Sequence, residues 1–310
     1  MAGDERLLIP VICGPTAAGK SAIALWLARY HPLTLVVADS RQIYRSFDIG
    51  TAKPSHHEQA AVPHRGIDLI DPVERYSAAA WASHADRWID EARAEARIPV
   101  VVGGTGFYLR ALFEPLFDEP ELDPAARQQM ERLLAPLSFA ELRRWCAALD
   151  PDRAHLGRTQ LTRSIEVALL TGHRLSDLHR ARARPARRSA RYLVVDPGPA
   201  LAGRISERLD AMLAGGWVEE VSRLVETVPN DAPAWNATGY RAVRELVCGM
   251  TDFQATRQRI LIATRQYAKR QRTWFRHQLD DALVTRLDPA DASWMTVAEG
   301  WFRDTVGRSS

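Results

Sequence analysis

The 310 residues carry 41 Lys and Arg against 38 Asp and Glu, a formal net charge of +3, and 46% of them are hydrophobic, enough to bury a substantial core. The three cysteines, Cys13, Cys146 and Cys248, are too few and too scattered for a disulfide framework or a zinc cluster, which predicts a reducing, cytoplasmic setting. Apolar runs fall short of the ~18–20 residues a membrane span needs, and Asp4 and Glu5 stand where a secretory leader would be basic, so no membrane association is expected.

In chain order, the first predicted strand is Leu7–Ile12. It runs into Gly14-Pro15-Thr16-Ala17-Ala18-Gly19-Lys20-Ser21, and a helical pattern follows from Ala22 to Tyr30. Strand, glycine-bounded loop and helix in this order make a phosphate-binding P-loop. Successive N–H groups turn into one concavity, the helix N-terminus adds partial positive charge, Lys20 reaches the outer phosphate, and Ser21 is placed for Mg²⁺. A second strand, Leu33–Val37, ends at Asp39-Ser40-Arg41-Gln42, which sets a carboxylate at the strand edge where open α/β sheets hold their ligands. Asp39 could bind Mg²⁺ through water or act as a general base. A third strand, Ile98–Val102, exits through Gly103-Gly104-Thr105-Gly106, where Thr105 is the only polar side chain, and a helix begins near Phe107.

Strand signals fade from Leu116 to Arg191, and helical periodicity takes over at Ala125–Leu134, Phe139–Leu149 and Leu161–Leu170. This predicts a helical domain, residues 116–191, inserted into an α/β core of residues 1–115 and 192–310. Seven arginines between Arg174 and Arg191, with Asp177 the sole acid, suit a solvated loop or a nucleic-acid contact. Tyr192–Val195 returns to the sheet, and helices are expected at Leu201–Leu213, Trp217–Val225, Tyr240–Val247 and Gln254–Gln278. On the last of these, Arg265, Lys269, Arg272 and Arg276 form one basic stripe, while Ile260, Tyr267, Gln271 and Trp274 lie toward a face that can pack on the core. There is no acid from Phe253 to Leu279, although a merely solvated face normally mixes in acids.

These segments, together with Asp48–Pro54, His64–Ile70, Tyr76-Ser77, Gly103–Tyr108, Arg163–Val167, Gly239-Tyr240-Arg241 and Ala263–Trp274, occur in the order of one family. The chain closely resembles the tRNA dimethylallyltransferases. The resemblance implies a P-loop NTPase-like parallel sheet flanked by helices, with an inserted all-helical domain. It also implies transfer of a dimethylallyl group from dimethylallyl diphosphate to N6 of adenosine 37 in the tRNA anticodon stem-loop, with Mg²⁺, by a monomer. Asp39 is then the base. Thr16, Lys20 and Ser21 stabilise the leaving diphosphate with Arg208, and the P-loop from Gly14 through Pro15, Ala17, Ala18 and Gly19 holds that diphosphate instead of a nucleotide. The family's tRNA contacts map onto Asp39, Ser40, Arg41, Gln42, Thr105, Arg127 and the run Thr159-Gln160-Leu161-Thr162-Arg163, with the basic helix holding phosphates. One departure is that His155-Leu156-Gly157-Arg158-Thr159-Gln160 is a residue shorter than the family's pattern, while Arg163 and Glu166 stay in register. No Cys/His zinc finger follows the core, as in the bacterial type. Competing readings are a P-loop kinase using ATP, an isopentenyltransferase acting on free adenine nucleotides, and an RNA-binding module with a vestigial P-loop.

Overall fold

The computed structural model describes residues 7–114, 116–117, 122–181, 183–184 and 187–307. Strands β1 (Leu8–Cys13), β2 (Leu33–Ala38), β3 (His64–Arg65) and β4 (Ile98–Gly103) precede a two-residue pair, β5 (Leu116–Phe117) and β6 (Ala183–Arg184). They are followed by β7 (Ser189–Val195) and β8 (Val284–Leu287). Six of them form one parallel sheet in the order β3-β2-β4-β1-β7-β8. All six residues of β2 are buried, as expected of a parallel strand covered on both faces. Helix α1 (Lys20–Leu27) leaves β1 directly, α2 (His56–Ala61) precedes β3, α3 (Ala78–Ala94) precedes β4, and α4 (Gly106–Phe113) follows it.

The chain divides into two compact units, Met1–Phe113 with Arg187–Ser310, and Glu114–Ala186. In the second unit, α5 (Pro124–Leu134), α6 (Phe139–Leu149) and α7 (Arg158–Thr171) pack around Leu134, Leu142, Cys146, Leu161 and Ile165, and α8 (Leu175–Ala181) sets Leu175 and Leu178 against Val167. This unit is not purely helical, because Leu116 and Phe117 pair antiparallel with Arg184 and Ala183. Two-residue strands are too short to leave a period-2 pattern, so the sequence gives no sign of them.

After β7 the first unit continues with α9 (Leu201–Ala214), α10 (Trp217–Thr227), α11 (Tyr240–Val247), the 25-residue α12 (Phe253–His277) and α13 (Trp294–Gly307). Helix α12 begins where the Asp252 carboxylate accepts from Ala255 N, and it ends on Arg276 and His277, which oppose the negative end of the dipole. One core layer joins Ile43, Phe47, Ile205, Trp217, Tyr240 and Ile260, and another joins Ile12, Ile23, Leu35, Val100, Trp301 and Phe302. Strand β8 and helix α13 escape sequence reading: Val284-Thr285-Arg286-Leu287 is short and charged, and Gly300 interrupts the helical pattern.

The arginine-rich stretch is partly structural. Arg188, only 5% exposed, donates from Nε to Asp86 Oδ1 at 2.6 Å and from Nη2 to Asp90 Oδ1 at 2.7 Å, pinning the start of β7 to α3. Of the other arginines in that stretch, Arg182 lies outside the described residues. Replacing Arg188 leaves two carboxylates beside a covered strand end. Arg188→Ala is expected to lower unfolding free energy in urea titrations by about 2–3 kcal/mol. Arg188→Lys should recover only part, since one ammonium cannot bridge both acids as the guanidinium fork does.

Candidate active site

The C-terminal edges of β1, β2, β4 and β7 deliver four loops to one side of the sheet, where the sequence expects its ligand crevice. Gly14 leaves β1 at φ 143°, and a Cβ there would lie 2.1 Å from Val195 O, so only glycine lets the loop turn against β7. Ala17 holds φ 62° and Gly19 φ 102° ahead of α1. Lys20 Nζ donates to Gly14 O at 3.0 Å and Pro15 O at 2.7 Å, so the ammonium sits inside its own loop. Burial and the nearby Arg208 push Lys20 down to about 8, against the opposing pull of Asp39. Burial likewise pushes Arg208 down, with Asp39 counteracting.

Two side chains that sequence reading left out of the site hold this loop. Gln271, buried on α12, accepts from Thr16 N at 2.8 Å through Oε1 and donates from Nε2 to Gly104 O at 2.8 Å. A Cβ on Gly104 would lie 2.4 Å from that Nε2, which gives the glycine-rich exit of β4 its physical reason. Arg204 on α9 donates from Nη1 to Ala18 O at 3.0 Å. Helical spacing had placed Gln271 on the packing face, and its amide partners are visible only in three dimensions; Arg204 lay one turn from the expected Arg208.

Asp39 follows β2, and its Oδ1 accepts from Arg41 N at 2.8 Å. Ser40 N donates to Thr105 Oγ1 at 3.1 Å and Thr105 N to Ala38 O at 3.2 Å, so the exits of β2 and β4 are stitched together. Tyr267 from α12 lies beside the same Thr105 side chain, and burial pushes its phenol up to about 12, with Asp39 adding to the shift. Gln42 turns inward, donating to Thr51 O and Ala52 O at 3.0 Å. A cavity of about 80 Å³ is lined by Thr16, Asp39, Arg41 and Arg208 together with Ile205, Leu209, Met212, Trp217 and Ile260. One space thus meets cations, a carboxylate and an aliphatic wall. Beside Pro15 a second recess, about 520 Å³, is framed by Arg272, Arg276, Arg286, Asp196 and Asp288.

Comparison with known proteins matches residues 42–278 to the family described as IPP transferase and residues 8–65 to isopentenyl transferase. The chain belongs to the IPP transferase family. A tRNA dimethylallyltransferase of Bordetella petrii is 42% identical over 89% of this chain and 92% of its own. One from Cupriavidus necator is 40% identical over 92% of this chain and 94% of its own. Among solved structures, a tRNA isopentenylpyrophosphate transferase of Bacillus halodurans superposes with TM-score 0.69 at 28% identity over 98% of both chains. A eukaryotic dimethylallyltransferase acting on tRNA gives TM-score 0.79 at 25% identity over 96% of this chain and 78% of its own.

The residues expected to meet RNA in this transferase separate by environment. Arg265, Lys269 and Arg276 are exposed along α12. Arg272 differs from them. Its guanidinium grips Asp196, with Nε 2.8 Å from Oδ2, so the acid missing from the helix's own sequence arrives from the end of β7 and offsets the charge of this one member of the stripe. In the second unit, Arg127 Nε lies 2.9 Å from Glu166 Oε1 and Arg163 bonds the other carboxylate oxygen, so one buried acid orients both arginines. Leu161 is fully buried in that unit's core, which removes its side chain from the expected tRNA contacts. Gln160 caps its own helix, Oε1 accepting from Gly157 N at 3.0 Å, while Thr159 is exposed and Thr162 half-buried.

Lys20 yields a pH test. Its lowered value means that the free protein loses this charge above about pH 8, and not near the ordinary ~10.4. Folding and binding then respond oppositely. Between those values the unfolded chain holds the proton more tightly, so this group makes the fold more stable as pH rises, whereas an anion in the loop loses its cation. Calorimetric affinity for inorganic diphosphate is expected to fall by up to about tenfold per unit above pH 8. Lys20→Arg, charged throughout, should remove the fall, and a flat wild-type profile would contradict the assignment.

Proposed function

We propose that this protein transfers the dimethylallyl group of dimethylallyl diphosphate to N6 of adenosine 37 in tRNA. The observation that carries the reading is the single cavity lined by P-loop residues, Asp39, Arg208 and aliphatic side chains. An allylic diphosphate needs those three features. Its C1–O bond breaks with positive charge shared along the double bond while negative charge gathers on the diphosphate. Lys20, Arg208 and the loop N–H groups stabilise that leaving anion, an effect worth roughly 3–4 kcal/mol for each donor removed by analogy with oxyanion sites. The N6 lone pair is delocalised into the purine and becomes nucleophilic as its proton leaves. Asp39, held at one oxygen by Arg41 N, takes that proton as the N6–C1 bond forms. Reaching N6 requires the base to leave its stack, which costs a few kcal/mol from a single-stranded loop.

The residues fit a Mg²⁺ ion that arrives with the diphosphate. Ser21 presents an exposed hydroxyl in the first turn of α1 beside Lys20, and among the described residues no group of three His, Cys, Asp or Glu is placed to hold a metal alone. Mg²⁺ keeps several waters and binds phosphate oxygens, so one protein ligand suffices, and when bound it neutralises charge on the leaving group. Arg265, Lys269 and Arg276 supply phosphate contacts to the stem-loop, with Arg127, Thr159, Thr162 and Arg163 of the second unit as further contacts. No described helix is long and apolar enough to cross a membrane.

Labelled dimethylallyl diphosphate, offered with unmodified tRNA and separately with AMP, should label the tRNA alone. Asp39→Asn is expected to slow transfer by about 10²–10⁴-fold while diphosphate affinity stays near wild type, because the amide keeps the shape and cannot take the proton. Joint loss of diphosphate affinity and Mg²⁺ dependence would instead make Asp39 a metal-site residue. Replacing two of Arg265, Lys269 and Arg276 with Gln should flatten the slope of log tRNA affinity against log salt by roughly one to two units and leave diphosphate binding unchanged. An unchanged slope with a lower melting temperature would show that these side chains serve the fold.

A further inference from the structure

Among the aliphatic side chains of the cavity stands one tightly packed indole. Trp217, the first residue of α10, is 1% exposed and lines the cavity. Its indole is wedged between two glycines. A Cβ on Gly50 would lie 2.2 Å from Cε2 and 2.3 Å from Nε1, and one on Gly239 would lie 2.4 Å from Cη2. The Tyr240 ring meets it edge-on at 5.3 Å, and Tyr240 is itself fixed, its hydroxyl donating to Glu220 Oε1 at 2.6 Å and accepting from Gly50 N at 3.1 Å. Glu220 Oε2 also accepts from Asp48 N and Ile49 N, so three successive backbone amides of the Gly50 segment are held against the indole by one buried acid and one phenol.

The indole N–H contributes nothing that offsets its burial, because Trp217 Nε1 has no hydrogen-bond partner among the described residues. A buried donor without an acceptor is costly, so what this position supplies is the bulk and plane of the ring. Around it stand Ile205, Leu209, Met212 and Ile260, which offer a hydrocarbon contact and offer an adenine edge no hydrogen bond. We infer that Trp217 limits the length of the allylic chain this enzyme transfers: its fixed ring closes the space that a second isoprene unit would enter. The inference rests on the proposed reaction. The bonds made and broken are the same for either donor, C1–O and N6–C1, and only the unreacting tail differs.

The test compares kcat/KM for dimethylallyl and geranyl diphosphate, with the same tRNA, in wild type and in Trp217→Phe, Trp217→Leu and Trp217→Ala. Wild type should discriminate against the geranyl donor by at least about 100-fold, and the ratio should move toward the longer donor by about tenfold or more in Trp217→Ala and by less in Trp217→Phe. A purely structural role would lower activity with both donors together and leave the ratio unchanged, which would overturn the inference. Should the smaller variants fail to fold, wild type alone still decides against it if geranyl and dimethylallyl groups are transferred equally well. A wild-type enzyme that prenylates tRNA from neither donor would refute the proposed reaction itself, a result distinct from an unchanged ratio.

Discussion

One carboxamide holds the site together. Gln271 takes the N–H of Thr16 and gives its own N–H to Gly104 O, so the phosphate loop, the exit of β4 and the long helix α12 share a single buried joint. Gly104 is covered and Thr16 half-buried, and a side chain offering both a donor and an acceptor is what satisfies the two at once. The joint continues through Thr105, which accepts from Ser40 N and donates its own N–H to Ala38 O, to the segment that carries Asp39. Diphosphate loop, proposed base and proposed RNA-facing helix are therefore parts of one hydrogen-bonded assembly, and rigidity of this kind is what preorganised stabilisation of a leaving anion requires.

The charges divide along the same lines. Several arginines have acid partners within the fold: Arg188 with Asp86 and Asp90, Arg272 with Asp196, Arg127 and Arg163 with Glu166. Their forked guanidinium suits such two-point contacts. The three lysines are used differently. Lys20 fills the P-loop, Lys53 is drawn inward between Asp48 and Asp68 to brace the segment that walls the cavity, and Lys269 is exposed on α12. A net charge of +3 says little about RNA affinity in such a molecule, because what counts is where positive charge is exposed and how far nearby acids offset it.

The cavity gives the proposed reaction a reason to use a loop type widely employed for nucleotides. The P-loop recognises phosphate through backbone N–H groups and one ammonium, and neither reads what the phosphate is attached to. In the proposed reaction, selection for an allylic tail falls to the other wall, built by α9, α10 and α12 from Ile205, Leu209, Trp217 and Ile260. On that reading, phosphate chemistry and tail recognition come from different parts of the chain, and they meet at the C-terminal edge of β1.

Much of this was legible in the amino-acid sequence. The P-loop, the Asp39 strand exit, the Gly103–Gly106 turn and the basic face of α12 each depend on short-range spacing, which local backbone geometry enforces, and the family's motifs follow in order along the chain. Helices at Phe139–Leu149 and Tyr240–Val247 have the bounds their periodicity predicts. What escaped depends on partners far apart in sequence. The strand β8, the β5–β6 pair, the grip of Asp196 on Arg272, the burial of Leu161 and the bridge made by Gln271 come from contacts across tens to hundreds of residues. Short-range pattern decides which chemistry a segment can offer; which of those groups is free to use it was decided only when the tertiary fold assigned each buried donor, acceptor and charge its partner.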